Sequence, residues 1–230
     1  MCARVPQRTF CFSELHAKRL REQGMSGDIT ILRGLYAGST EPAIPQEADP
    51  LVLFAGRLIP EKRVTVGVAA VAAAAKRIEG LRGVFYGDGP EREALRASIA
   101  EHHADSFISA PGFADGERVD ADMRRALCVL LPSEREGYGM VVVEASAHST
   151  PAVVIAAPDN AATELIEEGV NGTIARAPAP DTIADAIVRV HEAGMAMRES
   201  TAGWFAENGE RLSLECSLET VLASYGAGAL

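Results

Sequence analysis

No two of the four cysteines, Cys2, Cys11, Cys128 and Cys216, stand at the spacing of a zinc ribbon or a CxxC redox site, so they read as ordinary thiols. The five histidines, His16, His102, His103, His148 and His191, also lack metal-ligand spacing. No GxSxG turn suited to a hydrolase nucleophile occurs. No apolar run approaches the ~20 residues of a membrane span, and the opening MCARVPQRTF lacks the apolar stretch of a secretory signal. Basic residues are outnumbered: 22 Lys and Arg stand against 32 Asp and Glu, a net charge of −10. That balance argues against nucleic acid as a partner and against an anionic membrane surface. It leaves room for a small anionic ligand, because a few local cations outweigh a distant net charge. These absences point to a cytoplasmic location, with peripheral attachment to a membrane left open.

What is present is the material of a core. Apolar residues make up 47% of the 230 positions, enough for one large domain or two small ones. Short apolar runs alternate with longer amphipathic ones. RTFCF, DITIL, LVLFAG, LRGVFYG, SFISAPG, LCVLLPS and PAVVIAA read as strands. SELHAKRLREQG, VTVGVAAVAAAAKRIEG, GPEREALRASIAEHH, GERVDADMRRA and TIADAIVRVHEAG read as helices, with Ser13 placed to cap the first and Gly24 to end it. In GERVDADMRRA, Asp122 and Arg125 are expected on the exposed face. The alternation predicts an α/β fold with a parallel sheet covered on both faces. About six strands follow the Pro- and acid-rich linker YAGSTEPAIPQEADP, short of the eight a barrel needs, so an open, doubly wound, Rossmann-like sheet is expected. The expected division is an appendage plus linker over 1–49, a main domain over 50–210 and a terminal helix over 211–230. The first ~45 residues hold too little for a core of their own.

Four segments carry chemistry where strands give way to helices. AGRLIPEKRV follows LVLFAG. There Gly56 permits close backbone approach, and Arg57 and Lys62 are cations at the carboxyl end of a parallel strand, where open α/β sheets bind ligands. Two such cations neutralise a diphosphate; a solvated surface loop is the competing reading, which spacing alone favours. In YGDGPERE, Gly87 and Gly89 flank Asp88, but the GxGxxG fingerprint of a dinucleotide site is incomplete, so a tight turn is the simpler reading. SAPGF places Gly112 and Phe113 on the same side. Phe113 is expected in the core rather than as a base-stacking platform, while backbone groups near Gly112 are able to read a nucleobase. In EREGYGMVVVEASAH, Gly137 and Gly139 break any regular element. This puts Glu136 in a loop and Glu144 about one turn inside a helix that begins near Met140, with the valines against the sheet. The start of such a helix offers free N–H groups and a positive dipole end to phosphate. Carboxylates flanking it suit the hydroxyls of a ribose and a hexose. His148 is assigned to packing and His102–His103 to a surface helix end. In PDNAATELIEEGVNG a helix start is followed by turns at Gly169 and Gly172, and Glu164 is assigned to solvent.

In their order and spacing, GRLIPEK, YGDGPERE, PGF, LLPSEREGYGMVVVEASAHSTPAVV and ELIEEGVNG resemble the donor-binding, C-terminal half of the retaining glycosyltransferases of the GT-B fold, group 1 (family 4), over Leu51 to His191. The most specific element is E-x7-E, Glu136 to Glu144, behind PS and before A-x-x-x-P-x-V-V. The resemblance implies transfer of a sugar from a nucleoside diphosphate sugar to an acceptor hydroxyl with retention. It implies that Arg57 and Lys62 hold the diphosphate and stabilise it as it leaves. It implies that Glu144 binds the ribose hydroxyls and that Glu136 lies at the donor sugar. Gly137, Tyr138, Gly139, Met140 and Val141 would form the turn whose amides touch sugar and phosphate, with Gly56, Gly87, Gly112 and Phe113 lining the rest of the donor cleft. No cofactor and no metal are implied, the cations and the helix end doing the work of a metal.

Two segments depart from the pattern of the family that the chain resembles. Ser149 replaces a glycine and is expected to crowd the helix-to-strand turn, and Ala161 and Ala162 replace a glycine pair. Thr9 to Leu32 resembles the last strand, helix and strand of an N-terminal acceptor domain. LSLECSLETVLASYGAGAL resembles the final helix that crosses back to that domain. This implies an exposed apolar face unless a missing N-terminal domain or a second subunit covers it. The acceptor stays undefined. The alternative reading is a nucleotide-sugar binding module without transferase activity. An epimerase or phosphorylase of the same fold ranks lower, since no segment resembles a pyridoxal-phosphate lysine site.

Overall fold

The computed structural model describes residues 8–226. The stretches 1–7 and 227–230, Cys2 among them, lie outside the described residues. The chain begins with β1 (Thr9–Cys11), α1 (Glu14–Glu22) and β2 (Ile29–Ile31), in which β1 and β2 pair in parallel. Ser13 caps α1 by accepting from the His16 amide, as its position before an amphipathic run leads one to expect. After the linker come β3 (Leu51–Ala55), α2 (Val64–Ala74), β4 (Arg82–Tyr86), α3 (Arg92–Glu101), β5 (Ile108–Gly112), α4 (Gly116–Arg125) and β6 (Cys128–Leu131). The chain continues through β7 (Arg135–Glu136), α5 (Met140–Ala147), β8 (Ala152–Ile155), β9 (Asp159–Asn160), β10 (Gly172–Ala175), α6 (Pro180–Asn208) and α7 (Leu214–Gly226).

Six of these strands form one parallel sheet in the order β10-β8-β6-β3-β4-β5. From the central β3 the chain winds outward through β4 and β5. It then returns to the other side of β3 and winds out through β6, β8 and β10. The two directions part between β3 and β6, and the loops at their carboxyl ends diverge to leave a crevice. The period of two in each strand sorts the core. Val52 and Phe54 enter a layer with Val68 and Val71 of α2 and Ile183 and Ile187 of α6. Leu51 and Leu53 enter the opposite layer with Met123 of α4 and Ala145 of α5. The alanine-rich α2 lies close on the sheet: a Cβ added at Gly67 would come to 3.2 Å from Phe85.

Three local expectations are corrected. Gly172 is not a turn but the first residue of β10, the sixth strand of the sheet. A Cβ there would stand 2.1 Å from the Ala152 carbonyl oxygen, so the ladder itself demands glycine. The helix expected in PDNAATEL is a short 3₁₀ turn, Ala161–Leu165, whose N-cap is Asn160. The helix expected to end at Gly194 bends there (φ 55°, ψ −133°) and runs on to Asn208.

That continuation carries Arg198, which is 2% exposed. Its guanidinium donates to the carbonyls of Ala126 (2.7 Å) and Arg124 (2.6 Å), closing the carboxyl end of α4, where a cation also opposes the helix dipole. Burial lowers its pKa, but a guanidinium stays charged. Arg198→Met removes both charged hydrogen bonds, which leaves the Ala126 carbonyl without that donor and the Arg124 carbonyl with only the Gln46 side-chain amide. It is expected to lower stability by about 3 kcal/mol, read as a fall in the urea midpoint at unchanged slope.

The opening segment is not free-standing. Phe12, Leu35 and Tyr36 pack on a core containing Tyr138, Trp204 and Phe205. α7 is tied to it where Ser217 Oγ donates to the Gly34 carbonyl at 2.7 Å. The far side of α7 exposes Leu218, Leu222 and Tyr225, the apolar face expected of it. Among the described residues no helix is long and apolar enough to cross a membrane.

Candidate functional site

The crevice between β3 and β6 is bridged by its own loops. Beyond β3 the chain passes Gly56 and Arg57 into a 3₁₀ turn, Pro60–Lys62, and then Arg63 takes a left-handed conformation (φ 46°) to start α2. Beyond β6 it passes Pro132 and Ser133 into β7 and the glycine turn. The Glu134 amide donates to the Glu61 carbonyl at 2.8 Å, and Arg63 Nη2 meets Glu134 Oε2 at 2.6 Å. Between these contacts Lys62 Nζ forms an ion pair with Glu136 Oε2, the two side chains being only 15% and 16% exposed. The sequence reading placed both residues in the cleft but did not join them.

Glu136 does not lie in a free loop, as expected, but in β7, which pairs in parallel with β9 so that Glu136 stands opposite Asn160. The buried Asn160 side chain donates to the carbonyls of Ser133 (3.1 Å) and Ile155 (2.8 Å) and accepts from the Ala162 amide (3.0 Å). One amide therefore fastens the Glu136 strand to the β8–β10 connection. Its only trace in the sequence was an Asn ahead of a turn, a common cap signal.

Gly139 (φ 99°) opens α5, and a Cβ on it would sit 2.6 Å from the Cβ of Ala162. Ala162 thus packs directly beneath the turn. Val142 and Val143 are buried against the sheet, and Met140 and Val141 begin a helix whose first amides have no intrahelical acceptors. Glu144, one turn on, is half-buried. Burial first and the Asp120 carboxylate second push its pKa above the ordinary value. His148 closes α5, receives a hydrogen bond from Arg124 Nε (3.3 Å) and faces Asp120 (3.5 Å). Burial lowers its pKa.

On the other side of the crevice the loops after β3, β4 and β5 are laced together. The Gly56 amide donates to the Tyr86 carbonyl (3.1 Å), the Leu58 amide to that of Asp88 (2.9 Å), and the Gly87 amide to that of Gly112 (2.9 Å). They frame an apolar-walled cleft of about 380 Å³ lined by Gly56, Arg57, Tyr86, Gly87, Phe113 and Val119. Arg57 is exposed at its rim. Phe113, expected in the core, is 84% exposed, because Gly112 (φ 94°) turns the chain outward just before it. Asp122, expected on the surface, is buried instead. Tyr86 Oη donates to it at 2.6 Å, Arg118 Nε at 3.2 Å and Arg125 Nη2 at 2.9 Å. Burial pushes its carboxyl up, but the three donors outweigh that and hold it below the ordinary value.

Other predicted positions point elsewhere. Tyr138 turns its side chain away from the cleft: its hydroxyl donates to the Arg33 carbonyl, its ring meets Phe12 edge-on at 6.2 Å, and burial pushes its pKa to about 12. Glu164, assigned to solvent, accepts from the amides of Glu14 (2.8 Å) and Leu15 (2.9 Å). Ser149 adopts the left-handed conformation (φ 56°) that suits a glycine. It is buried there and donates to the Ala43 carbonyl at 2.5 Å. Among the described residues no three His, Cys, Asp or Glu side chains cluster as metal ligands.

The family described as "Glycosyl transferases group 1" matches residues 40–203. The chain is 30% identical over 202 residues to the D-inositol 3-phosphate glycosyltransferase of Actinosynnema mirum, a match that covers 82% of this chain and 47% of that protein. It is also 30% identical over 141 residues to the alpha-D-kanosaminyltransferase of Streptomyces kanamyceticus, covering 61% and 36%. Among solved structures, HepE of Anabaena in complex with UDP superposes with a TM-score of 0.81 at 18% identity, covering 98% of this chain and 65% of that one. The pneumococcal O-GlcNAc transferase GtfA in complex with UDP and GlcNAc gives 0.78 at 22%, covering 94% and 44%. The chain spans about half the length or less of these two curated relatives, and its sheet matches the C-terminal half of GT-B structures.

Proposed function

This chain belongs to the group 1 glycosyltransferases, and we propose that it is the donor-binding part of such an enzyme, acting on a nucleoside diphosphate sugar with retention. The observation that carries this reading is the Lys62–Glu136 pair set in the crevice ahead of the α5 N-terminus. A carboxylate beside a phosphate site is unfavourable unless a cation or hydroxyl donors meet it. Lys62 meets it here. An arriving diphosphate takes Lys62 over, and Glu136 is released to accept hydroxyls of the sugar. Arg57 at the rim supplies the second cation. As the bond from the sugar carbon to the diphosphate oxygen breaks, negative charge grows on the leaving oxygen, where Lys62, Arg57 and the first amides of α5 offset it. No metal is required for that role. Glu144 accepts from the ribose hydroxyls, and the apolar cleft beside Phe113 holds the base.

Glu144 makes the binding pH-dependent with a definite sign. The carboxylate accepts from two hydroxyls, one on each oxygen, more strongly than the protonated acid does, and its pKa is raised by burial and by Asp120. Nucleotide affinity is therefore expected to fall as pH drops through that raised pKa, at a higher pH than an ordinary carboxylate would give. Asp120→Asn removes the like charge and should move the fall to lower pH. Calorimetric titration over about pH 4 to 7, the range around a shifted carboxylate, reads both.

The two solved relatives named above were described with UDP, which puts UDP first among the nucleotides to test. Titration with UDP, GDP and ADP and their sugars, followed by transfer and hydrolysis assays on the same preparation, tests the reading. Binding without turnover leaves the second reading, a nucleotide-sugar binding module. Absence of binding removes both.

A further inference from the structure

We propose that α1 is a latch that positions the Glu136 turn, and that Glu164 is the positioning residue that seats it. This rests on Glu136 being the contact to the donor sugar.

The Glu164 carboxylate accepts from the first two amides of α1, those of Glu14 and Leu15, across 150 positions of sequence. It meets the positive end of the helix dipole there, while Ser13 takes the His16 amide. A nine-residue helix is marginal by itself, so its placement depends on such anchors. Further along the same helix Arg19 forms an ion pair with Asp159, whose other oxygen accepts from Arg135 Nε at 3.4 Å. Asp159 and Arg135 are register partners in β9 and β7, and the next pair in that register is Asn160 and Glu136. Two residues beyond Glu136, Tyr138 is bonded to the Arg33 carbonyl and packs on Phe12. Between them, a Cβ on Gly137 would lie 3.6 Å from Cε1 of His16.

The opening segment thus holds residues 135–138 at one end through Asp159 and at the other through Tyr138, with His16 beside the turn between them. These contacts fall on β7, β9, the glycine turn and the 3₁₀ turn that holds Glu164, the parts that set where Glu136 stands. Loosening the latch should leave the diphosphate contacts, which come from the β3–α2 loop and the start of α5, and should blur the sugar contact alone.

The test compares bare nucleotide with its glucose conjugate, using whichever of UDP, GDP and ADP the wild type binds best. Glu164→Ala is expected to weaken the sugar nucleotide about fivefold while the bare nucleotide stays within about twofold of wild type. In a Glu136→Ala background the Glu164→Ala effect should vanish, because it acts through Glu136. Arg19→Ala breaks the ion pair to Asp159 and a long hydrogen bond to the Pro158 carbonyl, and should act in the same direction if Glu164→Ala fails to fold. Lys18→Ala, on the outer face of α1, should change nothing. Equal loss of both ligands, additive loss in the double variant, or wild-type affinities in folded Glu164→Ala and Arg19→Ala would overturn the latch while leaving the donor-site reading intact. A wild-type chain that binds none of the three nucleotides overturns that reading and the latch with it.

Discussion

Lys62→Ala is expected to weaken binding of a bare nucleoside diphosphate by about a hundredfold, roughly 2.7 kcal/mol, whereas Glu136→Ala should leave that affinity unchanged or raise it. The two residues form one ion pair, yet their removal acts in opposite directions. Without Lys62 the diphosphate loses a half-buried cation and faces an unpaired Glu136 carboxylate, a change of the size seen when one member of a buried charge pair is deleted. Without Glu136 the lysine has no competing anion and is free for phosphate from the start. The sugar nucleotide separates the roles further, since Glu136→Ala should lose the part of its affinity that exceeds the bare nucleotide. Calorimetry on the two variants with both ligands measures all four values. Equal losses of bare nucleotide from both variants would mean that Glu136 and the diphosphate do not share Lys62.

Gly87→Ala is expected to lower stability by about 4 kcal/mol, the sum of backbone strain and overpacking. Gly87 has φ 137°, and a Cβ there would stand 1.8 Å from the Gly56 carbonyl oxygen and 2.9 Å from its carbon. Both are backbone atoms of the loop that carries Arg57, so no side chain can swing aside. Relief requires the loops after β3 and β4 to part, which breaks the Gly56–Tyr86 and Leu58–Asp88 hydrogen bonds and opens the cleft. Gly116→Ala is the internal contrast. It begins α4, has ordinary φ and meets nothing within 4 Å, so it should be neutral or stabilising by up to about 1 kcal/mol. Urea titration of both variants reads the difference, and similar midpoints would show that the loops yield more easily than their spacing indicates.

Much of the frame was legible because it depends on near neighbours in sequence. The β3 run LVLFA alternates between two cores, and the alternation of strands with helices requires a parallel sheet with helices on both faces. Ser13, Gly139 and the start of α5 were read from cap and turn chemistry within a few residues. The same local signals misjudged Gly172, where the demand for glycine comes from the Ala152 carbonyl on the neighbouring strand. They also placed Phe113 inside and Asp122 outside. Residue type favours both placements; the turn at Gly112 and the donors Tyr86, Arg118 and Arg125 reverse them.

By itself the sequence determined the fold class, the membership of group 1 and which residues gather at the carboxyl ends of the strands. Those follow from periodicity and from motifs a few residues long. Only the tertiary structure decided what these residues do to one another. It joined Lys62 to Glu136 across 74 positions and gave the exposed Glu164 the head of α1 as a partner. It also tied the Tyr138 hydroxyl to the Arg33 carbonyl. The physical reason is that a charged or polar side chain satisfies itself with whatever partner the packed chain brings within about 3 Å, and sequence spacing carries no record of that meeting.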